Sequence, residues 1–435
     1  MPLNTAPTAA TTALLRFATV GSVDDGKSTL VGRLLHDSKS VLADQMASVE
    51  QVSRSRGQAG IDLALLTDGL RDEREQGITI DVAYRYFATP RRRFILADTP
   101  GHVQYTQNMV TGASTAEVAI ILVDARQGVV EQTRRHAAIT ALLRVPHVAL
   151  AVNKMDLVDW SEARFAEIAE QFTAYALSLG VRKVVAIPIS ALAGDNVVTP
   201  STLTPWYGGP TVLEYLESVP ASDDLASLPA RFPVQCVIRP RTAAHADYRG
   251  YAGQVASGVL RIGERVVVLP SGVTSKIAAI DAMGESVPAA WASQSVTVRL
   301  ADDLDVTRGD LIAPIASPPV TTREIDAMAC HVAKRPLLVG ARVLLRHTTR
   351  TVQAFVRDIG PRLALDDSEP AAEPAAGSGV LEANDIGRVT LRTAKPLAID
   401  AYADCRRTGS FLLIDPADGA TLSAGMTNGT GGRPW

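Results

Sequence analysis

Cysteine is scarce in this chain. Cys236, Cys330 and Cys405 are the only three among 435 residues. Odd in number and far apart, they exclude a disulfide framework and fit reduced thiols in a cytoplasmic protein. Long hydrophobic runs are missing too: nowhere do about 18 apolar residues follow one another, so no membrane-spanning segment is expected. Charge of one sign is also lacking. Against 43 Lys and Arg stand 46 Asp and Glu, a net charge of −3, which argues against a broad basic surface for nucleic acid. The seven histidines fall at no metal-ligand spacing with cysteine or carboxylate, so no zinc site is expected. The opening "MPLNTAPTAATTALLRF" has no basic region ahead of an apolar core, and residues 1–13 read as a disordered tail, not a signal peptide. What is present is ordinary for a soluble globular chain of two or three domains: 46% hydrophobic and 20% charged residues.

From residue 14 the texture is α/β. "LLRFATVG" (14–21), "RFILADTPG" (93–101), "VAIILVDA" (118–125), "HVALAVNKMD" (147–156) and "KVVAIPISAL" (183–192) are short, nearly continuous apolar runs. Such runs fit strands buried on both faces of a parallel sheet. "TIDVAYRYF" (79–87) alternates instead, grouping Ile80, Val82, Tyr84 and Tyr86, which predicts an antiparallel edge strand. In 161–180, Phe165, Ile168, Phe172, Ala176 and Leu179 share one helical face and Gly180 is a natural stop. Near residue 220 the composition turns to Pro, Ser and Ala, as in a linker. Short glycine-punctuated strands follow, with a low-complexity loop at 366–379. The expected organisation is a doubly wound, mostly parallel α/β phosphate-loop domain (14–219), then two small β-barrels (228–320 and 326–427), then a tail (428–435).

The chemistry sits at the carboxyl ends of the predicted strands. "GSVDDGKST" runs Gly21, Ser22, Val23, Asp24, Asp25, Gly26, Lys27, Ser28, Thr29 and fits G-x-x-x-x-G-K-[ST]. In that pattern backbone N–H groups cradle phosphates, the lysine reaches the terminal ones and the Ser28 hydroxyl takes Mg²⁺. The acidic pair is tolerable if its side chains point away from the cradle. "GITI" offers the Thr79 hydroxyl as a further Mg²⁺ ligand. "DTPGH" supplies Asp98 for a contact through a metal-bound water, then Thr99 and Pro100, the Gly101 N–H for the terminal phosphate, and His102 to orient an attacking water. Alone, Thr79 reads as a strand-start threonine and His102 as an ordinary histidine; the order of the motifs gives them these roles. In "NKMD", Asp156 accepts from guanine N1–H and NH₂, Asn153 secures the loop, and Lys154 lies along the base beside Met155. Adenine would leave that carboxylate unpaired, at a cost of about 1–3 kcal/mol. In "SAL" (Ser190, Ala191, Leu192) a backbone N–H near Ala191 is expected to meet guanine O6.

These motifs resemble the signatures of the translation-factor class of GTPases, and the plan of one G domain followed by two barrels resembles that of elongation factors Tu and 1 alpha. Within that class, "GSVDDGKSTLVGRLLHDSKSV", "DLALLTDGLRDEREQGITIDVAYRYFATPRR", "DTPGHVQYTQNMVTGASTAEVAIILVDARQGVVEQTRRH", "RFPVQCVIRP" and "YRGYAGQVASG" are most similar to the large GTPase subunit of bacterial heterodimeric sulfate adenylyltransferase. The resemblance implies GTP and Mg²⁺ as bound groups, with a monovalent cation near Asp24; Asp25 is expected to point outward or toward the segment around Thr79. It further implies a small ATP-pyrophosphatase-type partner subunit that makes adenylyl sulfate and diphosphate from ATP and sulfate, driven by GTP hydrolysis here. No nucleic-acid or membrane partner is implied. Some family members carry a fused adenylyl-sulfate kinase; the few residues after Met426 leave that activity to be expected elsewhere. The alternative is a translation elongation factor carrying aminoacyl-tRNA, which the slightly acidic charge disfavours.

Overall fold

Each of the five apolar runs becomes a strand of one sheet in the computed structural model, which describes residues 14–39, 49, 63–66, 81–102, 106–220, 225–240, 248–363 and 379–428. The chain divides into two units, Met1–Ser222 and Asp223–Trp435.

In the first unit the strands are β1 (Leu14–Val20), β2 (Ala83–Ala88), β3 (Arg93–Asp98), β4 (Val118–Asp124), β5 (His147–Asn153) and β6 (Val184–Pro188). They lie in the order β2-β3-β1-β4-β5-β6, with only β2 antiparallel to its neighbour. All seven residues of β4 are buried, as a central strand covered on both faces requires. β1 pairs with β3 on one side and with β4 on the other, and ligands of such sheets bind beyond the carboxyl ends of the strands. Among the described residues five α-helices accompany the sheet: α1 (Lys27–Asp37), α2 (Thr106–Ser114), α3 (Glu131–Leu142), α4 (Glu162–Ser178) and α5 (Val212–Ser218). Ser161 caps α4 by accepting the Arg164 N–H at 3.3 Å; Ile168, Phe172 and Ala176 form its buried stripe, and Gly180 turns away at φ +86°.

The edge strand forms as expected, but Tyr84 and Tyr86 face outward, 43% and 72% exposed, while Phe87 on the other face is buried. Phe87 stacks on Phe94 at 4.7 Å between ring centres, and Phe17 meets both edge-on. Packing of Phe87 into this trio decides which face turns inward. The turn after β2 is held by Arg92, whose buried guanidinium donates to the carbonyls of Leu216, at 3.1 Å, and Val219 beside the end of α5.

The second unit contains two six-stranded closed barrels. In the first, Phe232–Ile238, Gly250–Gln254, Ser295–Leu300, Val273–Ala282, Arg265–Leu269 and Leu311–Pro314 pair in that order around the ring. In the second the order is Val320–His331, Ile386–Ile399, Arg350–Arg362, Arg342–His347, Ser410–Ile414 and Thr421–Thr427. The gap left between the barrels by the sequence reading is itself strand: Val320–His331 begins at residue 320 with a mostly exposed, polar stretch that offers no apolar signal. A buried ion pair joins the barrels. Arg231 Nε and Nη2 each donate to Asp400 at 2.9 Å, and the Thr408 hydroxyl donates to the same carboxylate. Cys330 and Cys405 are buried, Cys236 is exposed, and none of the three is in a disulfide. Among the described residues no helix is long and apolar enough to cross a membrane. Residues 1–13, 366–378 and 429–435 lie outside the described residues.

Candidate nucleotide-binding site

The turn between β1 and α1 carries the glycine-lysine-serine pattern. It reverses through Asp24 at φ +65° and Gly26 at φ +93°, and a Cβ at Gly26 would strike the side-chain amide of Asn153. Glycine is therefore required there by both conformation and space. Asp25 corrects an expectation: it points into the loop, 4% exposed, and its Oδ2 accepts the Ser22 N–H at 2.6 Å. The tight reversal encloses that N–H, and the carboxylate satisfies it. Burial pushes the Asp25 carboxyl up from its ordinary value, against the pull of Lys27 and of the Ser22 N–H. Asp24 is the exposed member of the pair, as is Val23. Lys27 is buried, and its Nζ donates to the carbonyls of Gly21 and Ser22, each at 2.7 Å. Burial lowers its pKa, while Asp25, Asp98 and Asp24 act the other way. Ser28 and Thr29 follow on the first turn of α1, which carries no acidic side chain to offset its positive end.

The parallel register sets Thr19 beside Asp98. Thr19 Oγ1 donates to Asp98 Oδ1 at 3.1 Å and Thr99 Oγ1 donates to the Thr19 carbonyl at 2.7 Å, which locks the end of β3 against β1. Asp98, Thr99 and Pro100 are buried. Gly101 then lies directly on the phosphate loop: a Cβ there would strike Lys27 Nζ and come within 2.6 Å of the Gly21 carbonyl. His102 beside it is half-buried. Thr79 lies outside the described residues. Behind Gly101, Gln132 Nε2 donates to its carbonyl at 3.4 Å and meets His136 Nε2 at 2.9 Å. Burial, with Lys27 and Arg135 nearby, brings His136 down to about 3, so the ring is neutral.

Asn153 joins the two halves of the site. Its Nδ2 donates to the Asp25 carbonyl at 2.7 Å, and its Oδ1 accepts the Ala191 N–H at 2.9 Å. The Ala191 N–H, expected to meet guanine O6, is thereby engaged by Asn153. Arg33 of α1 donates to the carbonyls of Ala191, at 3.3 Å, and of Leu192, holding that loop against the helix. Ser190 is buried and its Oγ accepts the Ala193 N–H at 3.2 Å. Lys154 stands at φ +62°, with its ammonium on the Asp24 carbonyl and 2.9 Å from Asp124 Oδ2. Met155 is fully buried, and Asp156 is exposed at the mouth. Asp124, Arg126, Gln132 and His136 escaped the sequence reading. The available signal was an aspartate closing the most apolar run.

The arrangement gathers a glycine-containing loop, a buried ammonium, and a carboxylate-bearing turn tied to the same loop. The donor set fits a phosphorylated nucleotide with its metal: the buried Lys27 ammonium donates to backbone carbonyls, and the Ser28 hydroxyl follows it in the first turn of α1.

Residues 12–222 match the elongation factor Tu GTP binding domain, and residues 324–428 match the GTP-eEF1A C-terminal domain-like family. The bifunctional enzyme CysN/CysC of Mycobacterium tuberculosis is 56% identical over 416 residues, which cover 95% of this chain and 67% of that protein. Sulfate adenylyltransferase subunit 1 of Bacteroides fragilis is 48% identical over 415 residues, 95% of this chain and 85% of that protein. The subunit 1 of Shewanella oneidensis is 48% identical over 416 residues, with coverage of 95% and 85%. A translation-factor-type GTPase domain followed by two barrels, matched to these relatives along nearly its whole length, places the chain in the family of sulfate adenylyltransferase subunit 1.

Proposed function

We propose that this chain is the GTP-hydrolysing subunit of a cytoplasmic heterodimeric sulfate adenylyltransferase. The observation that carries the reading is the convergence of Gly26, Lys27, Gly101 and Asn153 beyond the end of β1. Lys27 exchanges the Gly21 and Ser22 carbonyls for the β- and γ-phosphates. Gly101 presents its N–H to the γ-phosphate, and Asp156 accepts the N1–H and NH₂ of guanine. The hydroxyls of Ser28 and Thr79 would hold Mg²⁺, with Asp98 placed to steady a water beside it, and the bound metal would supply charge neutralisation on the phosphates. The exposed carboxylate of Asp24 is the candidate ligand of a monovalent cation. His102 orients a water against the γ-phosphorus; the bond to the β–γ bridging oxygen breaks, and GDP and phosphate leave.

The partner is a small subunit of the ATP-pyrophosphatase type, which joins sulfate to the α-phosphate of ATP and releases diphosphate. The sulfate–phosphate anhydride is a high-energy linkage, so that equilibrium lies toward ATP and sulfate. GTP hydrolysis moves it only if the GTP and GDP forms of this subunit bind the partner's states unequally. In the motif reading, Thr79 and Gly101 are the residues that would sense the γ-phosphate. The test is the amount of adenylyl sulfate at long times, with both subunits present, under GTP, under a non-hydrolysable analogue, and with neither. Product beyond the nucleotide-free endpoint is expected with GTP alone. Three coincident endpoints would leave GTP a regulator and overturn the energetic coupling.

A further inference from the structure

The carboxyl end of β4 carries a charge cluster that the reading above leaves without a task. Asp124 closes β4, 1% exposed, and the parallel register pairs it with Asn153. The residue after Asn153 is Lys154, whose backbone stands at φ +62°, a conformation that costs a residue with a side chain. Its ammonium sits 2.9 Å from Asp124 Oδ2. Arg126 grips the same carboxylate from the other side: Nε to Oδ1 at 3.0 Å, Nη2 to Oδ2 at 2.6 Å, and its backbone N–H to Oδ1 at 2.9 Å. Arg164 of α4 donates to the carbonyls of Ala125, at 2.8 Å, and Arg126, at 3.2 Å, so the segment bearing the carboxylate is itself tied down. Burial alone would push the Asp124 carboxyl up, but the donors from Arg126 and Lys154 outweigh it and hold the group well below the usual carboxylate range.

We propose that Asp124 is a positioning residue for guanine-nucleotide binding, its carboxylate pinning Lys154 in the left-handed turn that presents Asn153 to the phosphate loop and Asp156 to the base. Arg126 orients that carboxylate. The inference rests on the reading of Asn153–Asp156 as the guanine turn. Its physical core is that the turn is strained and that, among the described residues, Asp124 is the carboxylate in ion-pair contact with the Lys154 ammonium; the ammonium's other acceptor is the uncharged Asp24 carbonyl. Removing the carboxylate's charge also leaves Lys154 and Arg126 as neighbouring cations, which adds repulsion to the relaxation.

A double-mutant cycle on the full chain, read as the affinity and dissociation rate of fluorescently labelled GDP, tests this. Asp124→Asn keeps the shape and removes the charge, and should weaken binding about tenfold, the equivalent of relaxing one residue in such a conformation. Lys154→Gly accepts the turn without strain and has no ammonium to place. In that background Asp124→Asn should change affinity by less than about twofold. Arg126→Gln, half-exposed and tolerable to folding, should weaken binding about threefold in the parent chain and not at all with Lys154→Gly. It carries the test should Asp124→Asn fail to fold. A loss as large in the Lys154→Gly background as in the parent, or no loss in either, overturns the positioning role. Asp156→Asn serves as the reference: if it leaves GDP binding unchanged, the guanine turn has been misread and the inference falls with it. If Asp156→Asn weakens binding and Asp124→Asn does not, only the inference falls.

Discussion

Mild acid should loosen the first unit through one residue, His136. Its ring is fully enclosed beneath the phosphate loop, and burial, with Lys27 and Arg135, brings its pKa to about 3 from an ordinary 6.5. The Gln132 side chain explains why the neutral form is required. Gln132 Oε1 accepts from Arg135 at 3.3 Å, so its amide nitrogen faces His136 Nε2, which must accept and therefore carry no proton. A histidine with a lowered folded pKa binds fewer protons in the folded state, so its contribution is lost as pH falls from 6.5 toward 3. Between pH 7 and pH 5 the loss comes to about 2 kcal/mol, roughly 30-fold in the unfolding equilibrium. A chain of two units blurs a global melt, so the assay is amide exchange in β4 and α3, corrected for the intrinsic pH dependence of exchange. The wild-type chain should lose that protection between the two pH values; His136→Gln, which keeps a polar group without the titration, should lose about 30-fold less. Equal losses would refute the buried-histidine reasoning, since every other titrating group is common to both chains.

Asp156→Asn should lower affinity for GTP and raise it for xanthosine triphosphate, which carries a carbonyl where guanine carries NH₂; competition binding reads the preference, and an unchanged preference for GTP refutes the guanine turn. His102→Ala should leave GTP binding nearly intact and slow hydrolysis by about 10²-fold or more in the assembled complex, whereas Lys27→Ala should weaken binding itself. Normal turnover by His102→Ala would remove that residue from the chemical step. Asp25→Ala leaves the Ser22 N–H without its acceptor and should destabilise the loop by about 1–3 kcal/mol, seen as faster GDP release; Asp25→Asn, which retains an acceptor oxygen, should lose less.

Strand positions were legible because buried parallel strands are near-continuous apolar runs, and the five runs map onto β1, β3, β4, β5 and β6. The glycine-lysine-serine turn was legible because its conformation is written in residue type: Gly26 is needed at φ +93° whatever surrounds it. Orientation was harder. Alternation in "YRYF" fixes a period of two without saying which face turns inward, and only the Phe87–Phe94–Phe17 contact decides it. Asp25 was misjudged because its acceptor role arises from a loop reversal that spacing does not encode. The use of the Ala191 N–H depends on Asn153, far away in sequence. Asp124, Arg126 and His136 match no motif; they act through neighbours supplied by register and helix packing.

One amide, that of Asn153, holds the Asp25 carbonyl with its nitrogen and the Ala191 N–H with its oxygen. In the proposed reading these are the phosphate end and the base end of a single ligand. Fastening both to one side chain makes them behave as one receptor with two pockets at fixed separation. Guanosine and diphosphate supplied as separate molecules would each meet only half of it, and their combined affinities would fall well short of that of GDP, because the covalent link supplies a high local concentration of the second piece. Nucleotide release should therefore be a single kinetic event, with neither end dwelling free while the other stays bound, and a partner that prised open either end would be opening both.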